Sequence, residues 1–299
     1  MYGTYRDFEI NFENFEVLKD IHGRIKVWRC GELVNKEIST QTGTFDISCI
    51  SNFLNNYNSL SHKNLIEIVE VIKNESSICI ISKYIQEPCS PFTDPLEALK
   101  FLKDCTDGLF YLQKNGVAHN DIKIENILKS SSGRYIIIDL DNITCESNFN
   151  NEKSEFIVGT KGYESPEKIE LMKRLRFFYN AYKSDIFSLG ISFLLLIIDE
   201  KYIEHSEINQ KIESIPQSYQ QFSSILKKML DLDEEKRLDS KGLNQLIMKE
   251  FPIINSFSNT CCKYCKDGTV PLSDLFIIEN KTVLCRRCLT ERNKIEFEL

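Results

Sequence analysis

The stretch that decides the fold is His119-Asn120-Asp121-Ile122-Lys123-Ile124-Glu125-Asn126. It sets a carboxylate, a lysine and a terminal amide within one short segment. The combination suits phosphoryl transfer, which asks little covalent chemistry of a protein. It needs a carboxylate to orient the attacking hydroxyl and accept its proton, divalent metal against the phosphates, and a cation near the transferring group. Asp121 can face the hydroxyl, Lys123 can sit by the γ-phosphate, and Asn126 can hold one Mg²⁺ through its amide oxygen. Asp139, 13 residues beyond Asn126 and just after an apolar strand-like run, can hold a second.

Upstream of this segment lies a helical signal. Asp94-Pro95 offers an N-cap followed by Pro at the first helical position. Leu96, Leu99, Leu102, Cys105, Leu109 and Leu112 form one apolar stripe, ended by Asn115-Gly116. Before it the texture is strand-rich. Phe15–Leu18, Ile25–Cys30, Leu33–Ile38, Leu65–Ile72 and Ser77–Ile85 are β-rich and partly alternating. Residues 46–60 are the exception, with Ile47, Ile50, Phe53, Leu54, Tyr57 and Leu60 at helical spacing. Downstream, short strands are expected near 127–128 and 135–138, and helices near 183–200, 218–230 and 239–249. A strand-rich first part and a helical second part predict an α+β chain of two lobes.

With these motifs in order, the chain resembles the eukaryotic-type protein kinase family. The catalytic loop of that family is His-x-Asp-x-Lys-x-x-x-Asn, here His119 to Asn126, and Asp139-Leu140-Asp141 stands where it has Asp-Phe-Gly. Gly159-Thr160-Lys161-Gly162-Tyr163-Glu164-Ser165-Pro166-Glu167 matches the end of its activation segment. Asp185 to Gly190 matches the helix that anchors the catalytic loop, and Arg237 stands where an arginine pairs with Glu167. The resemblance covers about 14–252, with a first lobe of about 14–86 and a second of about 87–252. It implies a bilobal kinase-like fold, ATP and Mg²⁺ (or Mn²⁺) as cofactors, and a protein substrate. Lys123, and Thr160 as partner of Asp121, are what the family's Ser/Thr enzymes carry. Lys36 is the candidate for the strand lysine that grips the α- and β-phosphates, and Lys83-Tyr84-Ile85 is the candidate adenine-binding hinge.

The first lobe departs from the pattern. Asp20, His22 and Ile25 fall at the three positions of the glycine loop, so backbone cannot approach the phosphates as closely. Counting back from His62-Lys63-Asn64 puts Phe53 where the partner glutamate of Lys36 belongs. In the catalytic loop Asn120 replaces the arginine that clamps a phosphorylated activation loop. Phosphorylation of Ser147, Ser154 or Thr160 is therefore expected to be dispensable. Asp141 in place of glycine favours a fixed segment. The alternative to an enzyme is a pseudokinase, a scaffold that keeps the fold and transfers nothing.

Composition sets the outer limits. A net charge of -7 and a sequence pI near 5.4 argue against a nucleic-acid-binding surface as the main function. Ile191–Ile198, the longest apolar run, is short of the ~18 residues that span a bilayer and reads as a buried helix. The first residues show neither a signal-peptide pattern nor Gly at position 2. No membrane partner is expected, and the cytoplasm, with the nucleus also open, is the expected compartment.

Of eleven cysteines, six (Cys30, Cys49, Cys79, Cys89, Cys105, Cys145) are scattered among apolar neighbours and are expected to be small buried hydrophobes. The other five fall in the tail. Cys262-x-x-Cys265 and Cys285-x-x-Cys288, nineteen residues apart, suit one tetrahedral Zn²⁺, with Cys261 competing with Cys262. Between them Leu275–Leu284 reads as a hairpin turning at Asn280-Lys281. A closed four-cysteine site over about 258–292, resembling a zinc ribbon, is expected to be structural and could serve partner docking.

Overall fold

The computed structural model describes residues 2–5, 8–11, 16–21, 24–39, 60–73, 76–145, 159–251, 275–278 and 282–285. The chain opens with a hairpin of β1 (Tyr2–Tyr5) and β2 (Phe8–Asn11), which the sequence pattern did not announce. The first lobe is an antiparallel sheet built from β3 (Glu16–Ile21), β4 (Ile25–Cys30), β5 (Leu33–Ser39), β6 (Ile68–Lys73) and β7 (Ser77–Lys83). Its strand order is β3-β4-β5-β7-β6, with β5 at the centre. Lys36 lies there between Val27 and Ile80. The inner face of β5 and β7 contributes Ile38, Ile78 and Ile80 to the core, which accounts for the β-branched runs read from the sequence.

Two features differ from expectation for local reasons. Strand β6 begins at Ile68 rather than Leu65. Leu65 and Ile66 are used to join the lobes: the Ile66 N–H donates to Ile137 O at 2.8 Å, and the Ile137 N–H to Asn64 O at 2.9 Å. At the other edge β3 and β4 pair right up to Ile21 and Ile25, closed by Arg24 N–H donating to Ile21 O at 2.8 Å. The expected helix over 46–60, with Phe53, lies outside the described residues.

The second lobe is organised by α1 (Pro95–Lys114) and α2 (Pro166–Met172), followed by α3 (Ala181–Ile198), α4 (Ile208–Glu213), α5 (Ser223–Met229) and α6 (Ser240–Glu250). Helix α1 starts and stops where its sequence says. Asp94 Oδ1 accepts from the N–H groups of Leu96 (2.8 Å) and Glu97 (2.9 Å), and Gly116 turns the chain out at φ 71°. Its stripe is buried against β10 (Ile127–Lys129), β11 (Tyr135–Ile137) and α3. Helix α3 begins earlier than the apolar run, because the Asn180 side chain caps Lys183 N–H at 3.1 Å, and it ends where Asp199 turns left-handed. It is buried almost throughout by its neighbours, with Ser184, Asp185, Ser188 and Ser192 among its buried side chains. A Cβ on Gly190 would stand 2.8 Å from Leu230 Cδ2, so glycine lets α3 pass the end of α5. The expected helix over 218–230 divides into a tight turn, Gln217–Phe222, and α5.

Short strands complete the frame: β8 (Glu87–Pro88) beside β10, and β9 (Val117–Ala118) beside β12 (Thr144–Cys145). In the tail β13 (Leu275–Ile278) and β14 (Thr282–Cys285) pair antiparallel, the hairpin expected there. Cys262, Cys265 and Cys288, and the turn at 279–281, lie outside the described residues. Of the scattered cysteines, Cys79 and Cys105 are buried, whereas Cys30 and Cys89 are only partly so.

Candidate functional site

The segment His119 to Asn126 leaves β9 and folds into a cradle whose floor is Asp185 of α3. Asp185 accepts the N–H of His119 through Oδ2 (2.7 Å) and that of Asn120 through Oδ1 (2.8 Å). Burial pushes the Asp185 carboxyl up, and the two amides and the nearby Lys168 ammonium pull against that push. His119 is wholly buried, with Nε2 on Ile138 O (3.0 Å) and Nδ1 accepting from Asp121 N–H (3.3 Å). That pattern fits a neutral ring protonated on Nε2. One side chain thus ties the loop to the strand that leads into Asp139.

Above the floor stands Asp121. Its Oδ1 accepts from Thr160 Oγ1 (2.7 Å) and its Oδ2 from Lys123 Nζ (2.8 Å). Lys123 also donates to Thr160 Oγ1 at 2.8 Å, closing a triangle. Asn126 Nδ2 donates to Asp121 O (2.8 Å) and Oδ2 (3.2 Å). Those bonds use the amide nitrogen of Asn126, leaving Oδ1 as the atom able to meet a cation. Thr160 lies 39 residues from Asp121, so only the fold brings these two together.

The first lobe enters through Lys36, whose Nζ donates to Asp139 Oδ1 at 2.6 Å. Burial raises the Asp139 carboxyl, but Lys36 outweighs it and the net direction is downward, which keeps the group ionised. Asp139 adopts a left-handed backbone (φ 61°) at the head of a tight turn over Leu140–Asn142. The two groups expected to serve phosphate and metal thus meet each other directly.

At the hinge, Lys83 N–H donates to Glu67 O (3.1 Å) and Tyr84 N–H to Glu32 O (2.8 Å), so both donors are used within the first lobe. The Lys83 ammonium pairs with Glu67 at 2.8 Å on the exposed edge. The Arg29 guanidinium lies 3.8 Å over the Tyr84 ring. Ile85 follows, half-buried.

The expected anchor between Glu167 and Arg237 is present. Arg237 Nη1 and Nη2 donate to Glu167 Oε1 (2.5 Å) and Oε2 (2.9 Å), with both side chains fully buried. Asn120, in place of arginine, is also buried and takes φ 67°. Its Nδ2 donates to Asn142 O (3.0 Å) and Ala118 O (3.3 Å). Its Oδ1 accepts from Tyr179 OH (3.2 Å) and its carbonyl from Lys168 Nζ (2.9 Å).

The structure thus gathers Asp121, Lys123, Thr160 and Asn126 into one cluster and joins Lys36 to Asp139, while Lys83 and Ile85 lie at and just beyond the end of β7. Lys168 and Tyr179 escaped the sequence reading, because a lysine inside a short helix and a tyrosine in a loop carry no motif. Among the described residues there is no cluster of His, Cys, Asp and Glu suited to a metal, and the zinc expectation falls on cysteines whose side chains are not described.

The family model described as "Protein kinase domain" matches residues 32–251. The chain is 28% identical over 199 residues to "MAP3K epsilon protein kinase 2" of Arabidopsis thaliana, covering 61% of this chain and 14% of that protein. It is 26% identical over 227 residues to "Calcium/calmodulin-dependent protein kinase kinase" of Caenorhabditis elegans, covering 72% and 40%. It is 26% identical over 214 residues to "Probable serine/threonine-protein kinase CCRP1" of Zea mays, covering 65% and 32%. The chain thus spans less than half the length of each of these relatives.

Proposed function

The chain belongs to the protein kinase family, and from that premise we propose that it is an active enzyme transferring the γ-phosphoryl group of ATP to Ser and Thr hydroxyls of protein substrates. The observation that carries this reading is Asp121, whose carboxylate is held between Thr160 and Lys123. In the proposed step the substrate hydroxyl oxygen forms the new bond to γ-phosphorus as the bond to the β,γ-bridging oxygen breaks and ADP departs. The hydroxyl proton passes to Asp121. Lys123 supplies positive charge where the transferring group carries its negative charge.

ATP and Mg²⁺ use goes with the family. The donor set suits the metal: Asn126 Oδ1 and the Asp139 carboxylate are hard oxygen ligands, and Asp139 is kept ionised. When bound, the metal neutralises the phosphates and orients them. Lys36 is the reading's contact to the α- and β-phosphates, released from Asp139 as nucleotide enters. The Lys83 carbonyl and Ile85 N–H are the groups we assign to adenine. We take the kinase domain as residues 14–252, since β3 begins at Glu16 and α6 ends at Glu250.

The test is Mg²⁺-dependent transfer from ATP to a generic basic protein, with phosphoamino-acid analysis of the product. Phosphoserine or phosphothreonine is expected, and Asp121→Asn should lower kcat by about 10²- to 10⁴-fold, the usual worth of a positioned general base. Nucleotide binding without turnover would make the chain a pseudokinase scaffold instead. Phosphatase treatment should leave the activity in place, because Asn120 offers no cation to a phosphate. Complete loss of activity on dephosphorylation would contradict that.

The same reading includes a structural Zn²⁺ held by Cys262, Cys265, Cys285 and Cys288, a docking role for the tail, and a cytoplasmic location. The hairpin β13–β14 between the two Cys-x-x-Cys pairs supports it. Metal analysis should find about one zinc per chain, lost in Cys285→Ser/Cys288→Ser. A zinc-free protein purified without chelator would refute the site.

A further inference from the structure

Lys168 is a lysine in an unusual place. It follows Glu167 on α2, yet only 2% of it is exposed. A buried ammonium loses its hydration, and burial draws the Lys168 amine below the ordinary lysine range, with Asp185 and Asp121 opposing the shift. An apolar side chain of the same length would avoid that cost. Its position shows what the cost serves. The Nζ donates to the Asn120 carbonyl at 2.9 Å and lies 5.6 Å from the centre of the Tyr179 ring. A Cβ added at Gly159 would stand 3.4 Å from it, so it sits directly under the start of the segment that carries Thr160.

Asn120 needs holding. A non-glycine residue at φ 67° sits in a sparsely populated region and is kept there by what surrounds it. Here α3 takes its N–H through Asp185, Lys168 takes its carbonyl, and Tyr179 and the Asn142 carbonyl take its two side-chain atoms. The carbonyl held by Lys168 belongs to the peptide whose next residue is Asp121. Rotation of that peptide would carry the carboxylate away from Thr160 and Lys123.

We propose that Lys168, with Tyr179, is a built-in brace that fixes the Asn120–Asp121 peptide, held by the chain's own side chains without any modification of the activation segment. Lys168 is a positioning residue; it acts through Asn120 and touches no substrate. This deepens the kinase reading by assigning that site a constitutive, unswitched geometry.

Lys168→Met keeps the length and removes the charge. Expected are a kcat lower by about 10- to 100-fold, a KM for ATP within about twofold of wild type, and a lowered melting temperature, since the buried Asn120 carbonyl loses its donor. An unchanged kcat overturns the brace. So does a lowered melting temperature with unchanged kcat per folded molecule, which would make the lysine merely structural. If Lys168→Met fails to fold, Tyr179→Phe, which deletes one hydroxyl, decides by the same criterion with a loss of several-fold. If the wild type transfers no phosphate, the kinase reading has failed and amide exchange of the 117–121 backbone judges the brace by itself. Exchange about tenfold faster in the variant supports it, and equal exchange overturns it.

Discussion

In the second lobe each element of the catalytic loop is held several times over, whereas the first lobe reaches the site through the ion pair from Lys36 to Asp139. Asp121 is reached by donors from three side chains, and Asp185 takes two backbone amides beneath it. The first lobe carries Asp20 paired with Lys26 in the β3–β4 ladder, and that edge exposes Val17 (70%) and Leu18 (42%). The difference teaches where each lobe's contribution resides. The second lobe holds its loop through many bonds, while the first meets it through a long-stemmed cation.

The largest effect that could break this comparison lies in the second lobe's anchor. Arg237→Ala leaves Glu167 charged and buried without a partner, and should cost about 3–5 kcal/mol of stability, read from urea unfolding. A loss below about 1 kcal/mol would mean the second lobe is held less tightly than its bonds indicate.

Lys36→Met tests the first lobe's link to the site. It should raise the KM for ATP by about 10- to 100-fold, as for loss of a charge-assisted contact, with a smaller effect on melting temperature. The pH dependence has a definite sign. Asp139 titrates below its ordinary value in the fold, so the stability it contributes is present above about pH 4 and is lost as pH falls through the lowered value. The melting difference between wild type and Lys36→Met should therefore shrink on acidification from about pH 6 to pH 3. A constant difference would show that Lys36 stabilises by packing rather than by charge.

The smallest effect sharpens the contrast. Asp20→Asn removes a negative charge from the strand bordering the expected phosphate region, and should lower the KM for ATP by about two- to fivefold, less at high salt. No change would place Asp20 away from the phosphates.

Much of the second lobe was legible in the sequence because its signals are local. Asp94-Pro95 and Asn115-Gly116 mark both ends of α1 through capping chemistry that involves neighbouring residues only. His119 to Asn126 carries its chemistry in one unbroken segment, and Glu167 with Arg237 could be paired through the family resemblance. Legibility fell where one residue serves two elements. Leu65 and Ile66 have strand composition, yet they join β11 and so delay β6. The run at 218–230 carries apolar residues along its whole length, and periodicity does not separate a tight turn from the helix that follows it.

By itself the sequence determined which chemistry is present: a carboxylate, a lysine and an amide within one loop, an aspartate after the next strand, and a first lobe poor in glycine. Only the tertiary structure decided what holds that chemistry in place. Lys168 and Tyr179 lie 48 and 59 residues from Asn120, and Lys36 lies 103 residues from Asp139. The physical reason is desolvation. A lysine reads as a surface residue until the fold removes its water, and its remaining hydrogen-bond partners then show what it is there to hold.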